Sequence, residues 1–157
     1  MSSQIRQAVI LAGGQGTRLR PLTYEIPKPM APIHGRPFLA YLIDLLRENG
    51  VEEVVLLTGY LGHKIAEYFG DGSRRGVKII YSHGAVEDET GTRIRNAGNF
   101  FDETFLLLYG DNYWPMDLSK MQEFYEAKGF PALMTVYNNH DGRAEYGFEN
   151  NVRIDAD

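Results

Sequence analysis

Cysteine is absent from this 157-residue chain. Disulfides, thiolate metal sites and cysteine nucleophiles are thereby excluded. Basic residues are outnumbered: 16 Lys and Arg stand against 21 Asp and Glu, a net charge of −5. With no basic stripe either, a nucleic-acid partner is not expected. Long apolar runs are also missing. The apolar run at residues 8–12 is far too short for a membrane span or a secretory core segment. These absences point to a soluble, cytoplasmic protein without a membrane partner. No internal repeat or low-complexity segment occurs, and His34, His63, His83 and His140 show no metal-ligand spacing.

What is present is a core: 43% of the residues are hydrophobic. A single domain of this length can bury about 70% of its unfolded surface. Short runs that are apolar on both faces recur at 9–11, 54–57, 77–81, 105–109 and 132–137. Continuous apolar strands separated by helices are the mark of a parallel sheet covered on both faces. Pro37 fits the first turn of a helix whose apolar face is Phe38, Leu39, Leu42, Ile43 and Leu46, with Asn49-Gly50 as its stop. A second helix is predicted over 62–69, with Ile65, Tyr68 and Phe69 inward. A third is predicted from Asp117 as N-cap to Gly129, burying Leu118, Met121, Phe124 and Tyr125. Residues 93–100 suggest a fourth. The fold class is therefore α/β: a Rossmann-like, mostly parallel sheet between helices. Such sheets bind ligands beyond the carboxyl ends of their strands.

The first strand runs into Gly13-Gly14-Gln15-Gly16-Thr17-Arg18-Leu19. Glycines there let the backbone approach a phosphate and aim its N–H groups at the oxygens. A dinucleotide fingerprint would need a further glycine where Leu19 stands. A Walker loop would need Gly-Lys-Ser/Thr where Arg18-Leu19 stands. Neither pattern fits. A plain tight turn is the competing reading, and the neighbours weigh against it. Arg18 offers a rigid cationic fork suited to phosphate. Ten residues on, Pro27 and Pro29 pin the backbone around Lys28. Arg18, Arg20 and Lys28 fall within eleven residues whose only acid is Glu25, a local basic spot suited to a small polyanion. Asp111 follows an apolar strand across one glycine, where a carboxylate can hold Mg²⁺ between phosphates or merely cap a turn.

The segment Leu-Ala-Gly-Gly-Gln-Gly-Thr-Arg-Leu-Arg-Pro-Leu-Thr at 11–23, followed by Pro-Lys-Pro-Met-Ala-Pro-Ile at 27–33, resembles the signature of sugar-1-phosphate nucleotidyltransferases (NDP-sugar pyrophosphorylases). The likeness continues through Gly35-Arg36-Pro37, Thr58-Gly59-Tyr60, residues 67–72 and Gly110-Asp111. It implies transfer of a nucleotidyl group from a nucleoside triphosphate to a sugar 1-phosphate, with release of pyrophosphate. On that resemblance Arg18, Lys28 and Asp111 are the catalytic residues, and Asp111 is the ligand of Mg²⁺. Nucleotide or sugar contacts fall to Leu11, Ala12, Gly13, Gly14, Gly16 and Thr17, to Gly91 and Arg93, and to Gly147 of a Tyr146-Gly147 element. Tyr113 and Trp114 could wall a sugar pocket or simply pack.

Two departures qualify the resemblance. The base-fixing loop of the family is replaced by Glu87-Asp88-Glu89-Thr90-Gly91-Thr92-Arg93. Its Thr-Gly-x-Arg form is similar to glucose-1-phosphate cytidylyltransferases, whereas residues 26–33 are more similar to heptose and mannose guanylyltransferases. GTP is the favoured nucleotide and CTP the next. Glu87 to Glu89 read as a solvated loop. In addition, the family's later Glu-Lys sugar element and second metal-binding aspartate have no counterpart before residue 157, so the chain reads as one domain that is incomplete at its C-terminus. A cytidylyltransferase for a non-sugar acceptor such as phosphocholine, or a catalytically silent nucleotide-binding module, is the alternative. Relatives commonly form homo-oligomers.

Overall fold

The computed structural model describes residues 4–113, 115 and 117–136. The chain divides into two compact units, Met1–Gln122 and Glu123–Asp157. The first carries a four-stranded parallel sheet built from β1 (Gln7–Ala12), β4 (Glu53–Thr58), β5 (Lys78–His83) and β6 (Leu106–Tyr109), in the order β5-β4-β1-β6. A two-residue antiparallel pair, β2 (Pro32–Ile33) with β3 (Arg36–Pro37), lies between β1 and the first helix in sequence.

β1 is the hydrogen-bonded centre, with Val9 opposite Val55 on one side and Leu107 on the other. Ala8, Val9 and Ile10 are fully buried. A strand enclosed in this way needs side chains that are apolar on both faces, as its sequence supplies. The one polar exception is Gln7, also buried. Its amide is fully used: Nε2 donates to Glu53 Oε1 at 2.7 Å and to the Phe100 carbonyl at 2.8 Å, and Oε1 accepts the Asp102 N–H at 2.8 Å. A buried amide so satisfied avoids the penalty of unpaired polar atoms.

Helix α1 (Phe38–Glu48) turns Leu39, Leu42, Ile43 and Leu46 into the core. Each such side chain contributes about 1.5–3 kcal/mol on burial. Asn49 closes it by donating to the Leu45 carbonyl at 2.9 Å, and Gly50 follows at φ +87°. Helix α2 (Gly62–Phe69) buries Ile65 and Phe69. Tyr68, expected to face inward, is exposed: its ring meets Phe69 edge-on and takes the Arg75 guanidinium 5.5 Å from its centroid.

The fourth expected helix begins earlier than predicted. Helix α3 (Thr90–Asn96) already includes Thr90 and Gly91, and a single 3-10 turn (Gly98–Phe100) follows it. Helix α4 (Leu118–Lys128) starts as predicted, with Asp117 Oδ1 accepting the Lys120 N–H at 3.1 Å in N-cap fashion. Leu118 is buried and Met121 partly so, whereas Phe124 is exposed. Gly129, at φ +63°, ends the helix.

In the second unit, Phe124, Tyr125, Lys128, Phe130, Ala132 and Leu133 line a small cavity of about 180 Å³. Residues 132–136, expected as a strand, take no regular structure. An extended segment becomes a strand only when a neighbouring ladder accepts its backbone groups, and none pairs with it among the described residues. No helix among the described residues is long and apolar enough to cross a membrane.

Candidate active site

The loops after the strands enclose a cavity of about 460 Å³ in the first unit. Its wall includes Leu11, Ala12, Gly13, Gly14, Gly16, Thr17 and Arg18 from β1 and the loop that follows it, and Lys28 and Pro29 from the proline-pinned turn. Tyr109 and Asp111 come from the end of β6, and Asp88, Glu89, Thr90 and Arg93 from the start of α3. β1 connects onward to β4 on one side, yet its other neighbour is β6. The cavity thus opens where the strand order reverses, the place such sheets reserve for ligands.

Local backbone devices place these groups. Gly16 has φ +62° and initiates a 3-10 turn (Thr17–Leu19), with its carbonyl accepting the Leu19 N–H at 2.9 Å and the Thr23 hydroxyl at 2.9 Å. A Cβ at Gly16 would stand 2.8 Å from Lys28 Cβ, so the glycine lets the second basic segment close onto the first. Lys28 opens another 3-10 turn (Lys28–Met30), held by the Met30 N–H donating to the Pro27 carbonyl at 2.8 Å and seated on buried Pro29. Gly110 does the same for the acid. Its N–H donates to the Leu11 carbonyl at 2.8 Å, and an added Cβ would stand 2.8 Å from that oxygen.

The result joins the two distant charges. Lys28 Nζ donates to Asp111 Oδ2 in an ion pair that is partly open to solvent. Arg18 is exposed and makes no ion pair among the described residues, so its fork is available to a polyanion. Arg20, the remaining member of the basic spot, is not part of this wall: its guanidinium lies 5.1 Å from the centroid of the Tyr24 ring.

Arg93, expected as a base or sugar contact, lies on the cavity wall and is itself held by the protein. Its side chain is buried and donates to four backbone carbonyls: Thr58 at 2.9 Å, Gly13 at 3.3 Å, Ala85 at 2.7 Å and Val86 at 3.3 Å. Gly91 sits in the first turn of α3 and is absent from the cavity wall. Tyr146 and Gly147 lie outside the described residues, as does Trp114. Tyr113 meets Phe38 in an edge contact, ring centroids 6.5 Å apart.

Sequence reasoning left Asp88 and Glu89 in a solvated loop, yet both line the cavity. Asp88 also accepts the Ala85 N–H at 2.9 Å. Gly84, the glycine immediately after β5, marks the close approach of Asp88, whose Oδ2 would stand 2.6 Å from an added Cβ.

Asp111 is the carboxylate that pairs with Lys28 on this wall, which Asp88 and Glu89 also line, and no group of three or more His, Asp or Glu suited to a metal occurs among the described residues. A hard oxygen donor of this kind fits Mg²⁺, which keeps most of its shell for water and substrate phosphates.

Comparison with known proteins shows what the chain is similar to. A family profile described as nucleotidyl transferase matches residues 7–151. The chain is 39% identical over 142 residues to a UTP--glucose-1-phosphate uridylyltransferase of Synechocystis sp., covering 83% of this chain and 36% of that protein. It is 42% identical over 119 residues to a D-glycero-alpha-D-manno-heptose 1-phosphate guanylyltransferase of Campylobacter jejuni, covering 74% of this chain and 52% of that one. Among solved structures, HddC from Yersinia pseudotuberculosis complexed with GMP-PN superposes with a TM-score of 0.68 at 32% identity, covering 77% of this chain and 54% of that one. The chain thus spans about half, or less, of the length of these relatives. With residues 7–151 of its 157 matched by that profile, the chain belongs to the nucleotidyl transferase family.

Proposed function

We propose that this chain binds a nucleoside triphosphate with Mg²⁺ and joins its nucleotidyl group to a sugar 1-phosphate, releasing pyrophosphate. The observation that carries the reading is the convergence of the glycine loop, Arg18, Lys28 and Asp111 on one cavity. An oxygen of the sugar phosphate attacks the α-phosphorus, the bond to the β-phosphoryl oxygen breaks, and pyrophosphate departs with its electron pair. No protein nucleophile is required, because a phosphate monoester is already ionised near neutral pH. The protein positions the reactants and offsets the repulsion between anions.

In this reading the N–H groups of Gly13, Gly14 and Gly16 face the nucleotide phosphates, and Leu11, Ala12 and Thr17 complete that wall. Arg18 holds the departing pyrophosphate through its planar fork. Lys28 exchanges its Asp111 partner for the phosphate oxygens being joined. Asp111 would hold Mg²⁺, which supplies charge neutralisation at the phosphates when bound. Guanine is the base we favour, on the likeness to the heptose guanylyltransferase, with cytosine next. A cytoplasmic location and a homo-oligomer belong to the same reading.

The test is a matrix of four nucleoside triphosphates against several sugar 1-phosphates with Mg²⁺, following pyrophosphate release from the full chain. Turnover with GTP and a heptose or mannose 1-phosphate is expected. Release of pyrophosphate with phosphocholine but with no sugar phosphate would overturn the acceptor. Nucleotide binding by calorimetry without any release would leave a binding module instead of an enzyme.

A further inference from the structure

The four carbonyls that receive Arg93 come from three neighbouring strand ends, and three glycines make room for it. Thr58 is the last residue of β4, Gly13 follows β1, and Ala85 and Val86 follow β5. A Cβ at Gly59 would stand 2.6 Å from Nη1, and one at Gly84 3.0 Å from it. A Cβ at Gly13 would overlap the guanidinium itself. Arg93 is only 6% exposed and has no carboxylate partner among the described residues. A buried cation held by neutral carbonyls alone is costly, and such groups persist where the surrounding structure demands them.

We propose that Arg93 is a positioning residue whose caged guanidinium clamps the loops after β1, β4 and β5 into the shape that receives the nucleotide. The consequence for nucleotide rests on the function proposed above; the clamp itself does not. Only a planar fork can serve this cage. The guanidinium presents donors in several fixed directions, so one side chain reaches carbonyls on three loops at once. A lysine ammonium concentrates its three donors at a single point. The Gly13 carbonyl shows the coupling most directly, since it accepts from Arg93 Nη2 and also from the Tyr60 N–H at 3.2 Å. Loss of the guanidinium therefore loosens the first glycine of the nucleotide loop through its own backbone. The side chain does not need to touch the ligand.

The experiment has two arms on the full chain. Hydrogen exchange without nucleotide compares wild type with Arg93→Ala and Arg93→Lys at peptides covering 13–17, 59–61 and 84–88. Both variants are expected to exchange faster at all three loops while the strands stay protected. Nucleotide titration and pyrophosphate release form the second arm. Misplacing the loop is expected to weaken nucleotide affinity by about 10²-fold, with KM rising more than kcat falls. Low-millimolar guanidinium chloride restores binding to Arg93→Ala, and ammonium chloride at the same concentration does not.

Unchanged exchange at the loops, or wild-type affinity in Arg93→Lys, overturns the proposal. Should the wild type bind no nucleotide, the enzymatic reading falls and the exchange arm still decides the clamp. If Arg93→Ala does not fold, Gly59→Ala intrudes on the cage from the other side. It must reproduce the three-loop exchange pattern, and a wild-type pattern in that variant also overturns the proposal.

Discussion

Lys28 and Asp111 stand 83 positions apart in the sequence, and their side chains form an ion pair on one cavity wall. Neither charge is buried deeply enough for the pair to be a folding device; the side chains keep 30% and 40% of their exposure. Pairs this open contribute at most about 1 kcal/mol to stability. In the proposed function their value lies in what each does to an incoming polyanion. We therefore expect Lys28→Ala and Asp111→Asn to retain the circular dichroism spectrum and melting temperature of the wild type. Pyrophosphate release should fall by about 10² to 10³ in each, the usual loss for one electrostatic stabiliser. Near-full turnover in either variant would remove that residue from the mechanism.

Gly16 carries the close approach of the two basic segments. Gly16→Ala must hold alanine in the left-handed region, a cost of about 1–2 kcal/mol, and also press a methyl against Lys28 Cβ. The expected result is a melting temperature lower by about 2–4 °C per kcal/mol, together with a raised KM for nucleotide. A Gly14→Ala control has open space at its Cβ and should melt with the wild type.

Glu53 links β4 to β1 and β5 by accepting from Gln7 at 2.7 Å and from Lys78 at 2.6 Å. Burial pushes its carboxyl up, but the hydrogen bonds from Lys78 and Gln7 outweigh that and leave it below its ordinary 4.5. A carboxylate depressed in the folded state stabilises above its unfolded value, and that stability is lost as pH falls through the folded one. Urea midpoints should therefore drop across the acidic carboxylate range in the wild type. Glu53→Gln should be less stable by about 1 kcal/mol at neutral pH, and its midpoint should fall less on acidification. Parallel curves for the two proteins would contradict the assignment.

Tyr81 gives the corresponding effect on the alkaline side. Burial, and then the charge of Asp71, push its hydroxyl up from 10.0 to about 12, and its O–H donates to the Gly70 carbonyl at 2.6 Å. The folded state therefore retains a proton that the unfolded chain releases from about pH 10. This stability is complete below that value and fades as pH rises towards 12. Ultraviolet titration at the tyrosinate band should show one late-titrating hydroxyl, and it should vanish in Tyr81→Phe. A Tyr81→Phe titration identical to that of the wild type would refute the shift.

The sheet, α1 and α2 were legible because each depends on local patterns: continuous apolar runs for the strands, and an apolar stripe closed by glycine for helices. Burial on both faces holds for β1 and β4, whereas β6 exposes Leu107 and Tyr109 on one face. Spacing placed Lys28 in a basic spot with Arg18 and Arg20 but left Asp111 an isolated charge; only the likeness of the signature segments assigned both to one site. Burial at particular positions was harder to read. Periodicity assigns Tyr68 and Phe124 to a face, but whether anything covers that face depends on chain far away in sequence, and both are exposed. The start of α3 was obscured by Thr-Gly-Thr, which reads as a loop on propensity yet is helical here. Arg93 was singled out as a contact residue, but its burial was not legible locally. Its burial depends on three separate strand ends arriving together, a tertiary condition that overrides the usual preference of arginine for solvent.

The sheet order also governs when the site can come into being. β1 meets β4 early along the chain, but its other ladder pairs Ala8 with Leu106. Closing that ladder requires the whole β4–β5 layer and its helices to be traversed first, a non-local step of the kind that slows folding. During synthesis from the N-terminus, the glycine loop and Lys28 therefore emerge well before their acidic partner. The Lys28–Asp111 pairing forms only when β6 docks beside β1.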